Sequence, residues 1–236
     1  MAPVGIISGT VLHGTSAFKG LKKEHVVNEF GRVTVWVSRQ IAHISRHDRD
    51  PADYVLPHLI NHQANLTALK NLGIRDVVAI NSTGSLKKDL PPGSIVVPDD
   101  FILLADTPTV FSNKPVHITP DLSGEVRRRL IEAAGACGIS VVERGIYWQT
   151  EGPRLETRAE IRMMAPFADI VGMTMAAEAI IAKELGLSYA ALCSVDNYCN
   201  GVVETPLTME MIIEGAKKNR ETMMTIVSTF IERSQA

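Results

Sequence analysis

Two short segments hold side chains whose types and spacing could do chemistry: TEGPRLETRAE, Thr150 to Glu160, and SVDNYCNG, Ser194 to Gly201. The first joins a turn able to hold an anion to a carboxylate, Glu156, that can accept hydrogen bonds from a ligand. Gly152 and Pro153 interrupt the strand-like GIYWQT run before them, and LETRAEIRMM resumes helical spacing. Glu156 is therefore expected where a strand end meets a helix start. The second segment sets Asp196 beside Asn197, an amide that both donates and accepts.

Several other apolar runs end in polar groups. GIISGT, residues 5–10, puts Ser8, Gly9 and Thr10 where backbone amides and a hydroxyl can face an anion. It has neither the three-glycine spacing of a dinucleotide fingerprint nor the GK[ST] of a Walker loop, so a plain strand-ending turn is the simpler reading of it alone. Arg46 and His47 follow IAHIS; an arginine there can clamp two oxygens of an oxyanion, or be a solvated strand end. In NSTGSL, residues 81–86, the amides around Asn81, Ser82 and Thr83 can cradle an anion or simply make a turn. DIVGMT ends in Met173 and Thr174. His58 and His62 stand four apart, but no HExxH glutamate and no evident third ligand accompany them, so no metal is expected.

The elements that must position these groups alternate. Short β-rich runs recur at 4–9, 33–38, 40–45, 76–82, 94–99, 145–150, 169–174 and 188–195. Amphipathic helical spacing covers about 59–73, 122–137, 156–166, 175–186 and 207–233. The expected architecture is α/β: one domain over 1–236, with a mixed, largely parallel central sheet flanked by helices. The irregular segments 48–57 and 105–120 read as loops over a site or a contact, or as surface insertions.

The 236 residues, 45% hydrophobic and 21% charged, suffice for one substantial core. A net charge of −2 without a basic run lacks the electrostatic footprint of nucleic-acid or anionic-membrane binding. Three scattered cysteines fit a reducing compartment. MAPVGIISGT lacks the pattern of a secretory signal, and no later apolar run is long enough to span a bilayer, so a cytoplasmic protein acting on a small substrate is expected.

The ordered set TEGPRLETRAE, DIVGMT and SVDNY, with GIISGT, Arg46-His47, NHQAN at 61–65 and NSTGSL, resembles the trimeric purine nucleoside phosphorylases of the methylthioadenosine phosphorylase branch. The resemblance spans almost the whole chain and departs from the family pattern at SGTV, RHDRDPADYVLPH and MAAEA. It implies phosphate binding by Thr10, Arg46, His47, Asn81, Ser82 and Thr174. It puts Met173 on the floor of the nucleoside site, His62 near the ribose, Tyr198 and Cys199 on the wall, and Met209 and Ile213 near the 5′ group. Glu178 is left with a structural role at a helix start.

On this reading Glu156 accepts the ring N–H of a 6-oxopurine, which adenine lacks, while Asn197 bridges the 6-oxo group and nitrogen-7. A one-residue slip would put Asp196 there instead. The implied reaction is phosphorolysis of inosine- or guanosine-type nucleosides with no cofactor beyond inorganic phosphate as co-substrate. Methylthioinosine or methylthioadenosine is the alternative substrate, and a homotrimer, or a dimer of trimers, the implied assembly. A non-catalytic purine-binding protein and a nucleoside hydrolase are the competing readings from other classes.

Overall fold

The computed structural model describes residues 3–12, 18, 20–48, 53–105 and 107–235. In chain order its strands are β1 (Val4–Ser8), β2 (Lys22–Asn28), β3 (Gly31–Val37), β4 (Ile41–Ser45), β5 (Asp76–Ser85), β6 (Ile95–Val96), β7 (Asp100–Leu103), β8 (Ile146–Gln149), β9 (Ile170–Gly172) and β10 (Ser188–Tyr198). The helices are α1 (His62–Asn71), α2 (Gly124–Ala136), α3 (Arg158–Met164), α4 (Met175–Leu185) and α5 (Met209–Arg233).

The ten strands form one mixed sheet, ordered β2-β3-β4-β1-β5-β9-β8-β7, with β10 on β5 and β6 on β10. Its centre is parallel: β1 pairs with β4 and β5, and β10 runs along β5 from Asp76 to Ser85. Side chains alternate across a strand, and β5 shows the result. Val77 and Ala79 join one core with Leu66 and Leu69 of α1 and Ile181 of α4. Val78 and Ile80 join another with Leu130 of α2 and Met223 and Phe230 of α5. Helices thus cover both faces of near-continuous apolar strands, the parallel-sheet solution.

One interruption makes the site. β10 fills one edge of β5, so β1 and β9 share the other: β1 over Val77–Ile80, and antiparallel β9 only at Gly84–Ser85. Between them Asn81, Ser82 and Thr83 have no strand neighbour on that edge, and the sheet opens.

Three of the elements differ from the sequence reading. β2, KKEHVVN, is an edge strand of exposed and half-buried positions, and its charges disguised it as loop. β7 directly precedes the irregular 105–120 segment, of which residue 106 lies outside the described residues. α1 begins at His62 rather than near 59, because Pro57–Leu59 forms a 3-10 turn and the Asn61 side chain caps the helix by accepting from the Ala64 N–H at 2.9 Å. No helix among the described residues is long and apolar enough to cross a membrane.

Candidate active site

β1 and β4 end in register, Ser8 opposite Ser45, so Gly9-Thr10 and Arg46-His47 leave the sheet side by side. Beyond them β5 continues through its open edge and β10 through Asn197. The result is a cavity of about 310 Å³ at the C-terminal ends of the parallel strands, where open α/β sheets bind ligands. Of the residues singled out from sequence, Thr10, Arg46, His47, Asn81, Ser82, Glu156, Met173, Thr174, Asn197, Cys199 and Met209 all line it.

Arg46 dominates one end. Its side chain is 1% exposed, its Nε donates to Glu178 Oε1 at 2.7 Å, and its Nη2 donates to Oε2 at 3.0 Å. Nη1 donates to the Ile80 carbonyl at 2.8 Å. Burial opposes the guanidinium charge, but the Glu178 carboxylate outweighs it and holds Arg46 charged. Three of the five N–H bonds of an arginine are thereby committed, leaving one on each terminal nitrogen. Glu178, expected as a helix-start residue, is this buried counter-ion, and it also accepts from the Tyr189 hydroxyl at 2.7 Å. His47 is fixed by its Nδ1 contact of 2.7 Å to the Val55 carbonyl, and its ring stacks on Tyr54 at 4.7 Å.

Thr174 precedes the first turn of α4 at the same end, and its Oγ1 accepts from Asn81 Nδ2 at 3.0 Å. It does not cap the helix with its side chain. Instead the Tyr147 hydroxyl accepts from the Thr174 N–H at 3.3 Å, and Gln149 Oε1 accepts from the Ala177 N–H at 2.9 Å. The positive end of the α4 dipole therefore faces the cavity with part of its first turn already satisfied.

Glu156 lies at the other end, in the stretch between β8 and α3. Gly152, at φ 71°, supplies the left-handed turn that ends the strand run, and Thr157 with Glu160 forms the capping box that starts α3. The Glu156 carboxylate is aimed by the Thr150 hydroxyl, which donates to Oε1 at 2.6 Å, while Asn200 Nδ2 holds its backbone carbonyl at 2.9 Å.

Asn197 reaches the cavity through a bulge. Val195 pairs with Thr83 and Asn197 with Gly84, so Asp196 is the extra residue. Asp196 does not line the cavity; its carboxylate accepts from the Ser82 hydroxyl and, at 2.8 Å, from Asn219 Nδ2 of α5. Burial raises its pKa, against those hydrogen bonds. Gly84 leaves room for the pairing: a Cβ there would stand 2.6 Å from Cys199 Sγ and 3.1 Å from Asn197 Nδ2.

Leu56, Leu207, Met209 and Ile212 give the cavity an apolar wall. Ile212, not Ile213, lines it. Two other expected residues stand outside. His62, the first residue of α1, is buried behind the Arg46 end with Nδ1 3.8 Å from Glu178 Oε1, and burial lowers its pKa to about 4. Tyr198 turns away to donate to the Lys88 carbonyl at 3.0 Å and packs around Trp148 and Val171. His58 lies on the 3-10 turn before the α1 cap, so it shares no helix with His62. Among the described residues, no group of three or more His, Cys, Asp or Glu is placed to hold a metal ion.

Tyr54, Leu56 and Pro57 were not singled out, although the segment holding them was read as a loop over a site or a contact, or as a surface insertion. The Arg46-adjacent part of that segment, residues 49–52, lies outside the described residues. An aromatic and a leucine between prolines were its only signal.

The chain is similar to several nucleoside phosphorylases. A probable 6-oxopurine nucleoside phosphorylase of Archaeoglobus fulgidus is 37% identical over 235 residues, covering 98% of this chain and 96% of the relative. A probable S-methyl-5′-thioinosine phosphorylase of Methanocaldococcus jannaschii is 35% identical, with 97% and 91% covered. An S-methyl-5′-thioadenosine phosphorylase of Pyrococcus abyssi is 34% identical, with 99% and 93% covered. Among solved structures, methylthioadenosine phosphorylase from Schistosoma mansoni in complex with adenine superimposes with a TM-score of 0.88 at 26% identity, over 100% of this chain and 92% of that one. The profile of the phosphorylase superfamily matches residues 3–232, and with relatives above 30% identity along nearly its whole length the chain belongs to that superfamily.

Proposed function

We propose that the chain cleaves 6-oxopurine nucleosides of the inosine or guanosine type with inorganic phosphate, releasing free base and ribose 1-phosphate. The observation that carries this reading is that Glu156 and Asn197 line the same cavity as Arg46. A phosphate oxygen bonds to the anomeric carbon as the bond from that carbon to the purine nitrogen breaks, and the bonding pair leaves with the base. Arg46, Thr10, His47, Asn81, Ser82 and Thr174 form the phosphate end and fix the nucleophile. Glu156 accepts the ring N–H, and the Asn197 amide meets the 6-oxo group and nitrogen-7 as charge spreads into the base. No cofactor is required.

A second reading of the same site takes S-methyl-5′-thioinosine as substrate. It rests on the wall of Leu56, Leu207, Met209 and Ile212, since an apolar wall accepts a methylthio group better than a hydroxyl. On either reading the protein is a cytoplasmic homotrimer, or a dimer of trimers, serving purine salvage without nucleic-acid or membrane partners. The test is a panel of inosine, guanosine, adenosine, methylthioinosine and methylthioadenosine, with and without phosphate. Release of hypoxanthine only with phosphate, unchanged by a chelator, is the expected result. Release without phosphate, yielding free ribose, would make the protein a hydrolase.

A further inference from the structure

The bulge residue Asp196 has a task distinct from that of Asn197. Asp196 is 3% exposed, and its carboxylate is held by neutral donors: the Ser82 hydroxyl on Oδ2 and Asn219 Nδ2 on Oδ1, with the Ser194 hydroxyl also favouring the charged form. Asn219 spends its other amide hydrogen on the Val195 carbonyl at 3.0 Å, so that side of the cluster is closed. Among the described residues no cation lies within ion-pairing distance of Asp196.

A hydroxyl carries one hydrogen. Ser82 lines the cavity but gives that hydrogen to Asp196, so its oxygen can offer a ligand only lone pairs. The anion end therefore combines the Arg46 charge with a serine oxygen that needs a donor, and an acceptor left unmatched against a bound ligand is costly.

We propose that Asp196 makes this end selective for a protonated tetrahedral oxyanion. Hydrogen phosphate and hydrogen arsenate each carry an O–H that can be donated to the Ser82 oxygen. Sulfate, with the same shape and charge near neutral pH, has none, and sets lone pair against lone pair. Asp196 acts through Ser82 and is a positioning residue. The proposal rests on the phosphorylase reading for the identity of the anion, but its selectivity is measurable without turnover.

The experiment is calorimetric titration of the folded protein with phosphate, arsenate and sulfate at one pH near 7.5, on wild type, Asp196→Asn and Ser82→Ala. In wild type, phosphate and arsenate should each bind at least about tenfold tighter than sulfate. In Asp196→Asn the new amide oxygen takes the Asn219 side and its NH₂ faces Ser82, turning the serine hydrogen into the cavity. Sulfate should then tighten and the gap close by about tenfold. Ser82→Ala should also close the gap, weakening phosphate by loss of the acceptor while relieving sulfate of the lone-pair contact, and it carries the test alone if Asp196→Asn does not fold. Equal wild-type affinities, or a gap unchanged in the folded variants, would overturn the proposal while leaving phosphorolysis intact. No binding of any of the three anions would overturn both.

Discussion

Arg46 and Glu178 meet through two hydrogen bonds, at 2.7 and 3.0 Å, although 132 positions separate them in the chain. The pair is both a structural tie and the charged end of the cavity, and substitutions should separate those parts. Glu178→Gln leaves the buried guanidinium without its counter-ion and is expected to cost about 3–5 kcal/mol of stability in urea denaturation. Arg46→Ala should incur a similar cost and also raise the apparent KM for phosphate by about tenfold or more. An unchanged phosphate KM in Arg46→Ala would remove Arg46 from the anion site.

Base choice should follow Glu156 and Asn197. The quantity to measure is kcat/KM for inosine over adenosine, or over their methylthio counterparts. We expect a wild-type ratio of at least about 10², lowered by about tenfold in Thr150→Ala, which loses the hydroxyl that aims the carboxylate. Asn197→Asp should move it further toward 6-aminopurines. A wild-type ratio near one would sink the role given to Glu156.

Gly215 lies inside α5, where alanine normally stabilises by about 1 kcal/mol. Here the opposite sign is expected. A Cβ at Gly215 would fall 2.0 Å from the Asp196 carbonyl oxygen, a backbone atom of the bulge that cannot rotate aside. Overpacking of this kind costs about 1–3 kcal/mol or more. A thermal melt showing Gly215→Ala as stable as wild type would mean that α5 can lift from the bulge at no cost.

His62 should make the fold acid-sensitive. Burial lowers its folded pKa from 6.5 to about 4, so below pH 6.5 the unfolded chain takes a proton that the folded chain refuses. Stability should accordingly fall as pH drops from about 6.5 to about 4, by about 3 kcal/mol at most, and the contribution should level off below that. His62→Gln should flatten this part of the profile when denaturation midpoints are compared across pH. Parallel wild-type and variant profiles would contradict the shift.

Much of this arrangement was legible in the chain because it is local. Apolar runs marked the strands of the parallel centre, and the glycine and proline at 152 and 153 marked the turn that presents Glu156. What could not be read depends on pairing across the sheet. Whether Asp196 or Asn197 faces the cavity is decided by the register of β10 against β5, which sequence spacing does not contain. The Glu178 contact with Arg46 joins helix to strand end over a long separation. His62, set near the ribose by resemblance, instead lies behind the Arg46 end against Glu178, a long-range contact that local spacing does not contain. β2 escaped notice because an edge strand need bury no continuous face.

The uninterrupted run of β5 past its open edge gives the cavity a ruler. Asn81 and Ser82 stand at the Arg46 end and Gly84 opposite Asn197, on one strand held along its other edge by β10. With a rise of about 3.3 Å per residue, Asn81 and Gly84 are about 10 Å apart. No hinge or sliding element is needed to keep that interval, so on the proposed reading the spacing between the phosphate-binding groups and the base-binding amide is set when the sheet forms. On the same reading, adaptation to different 5′ groups is left to the segment around Leu56 and to the start of α5, whose side chains can change without altering the interval.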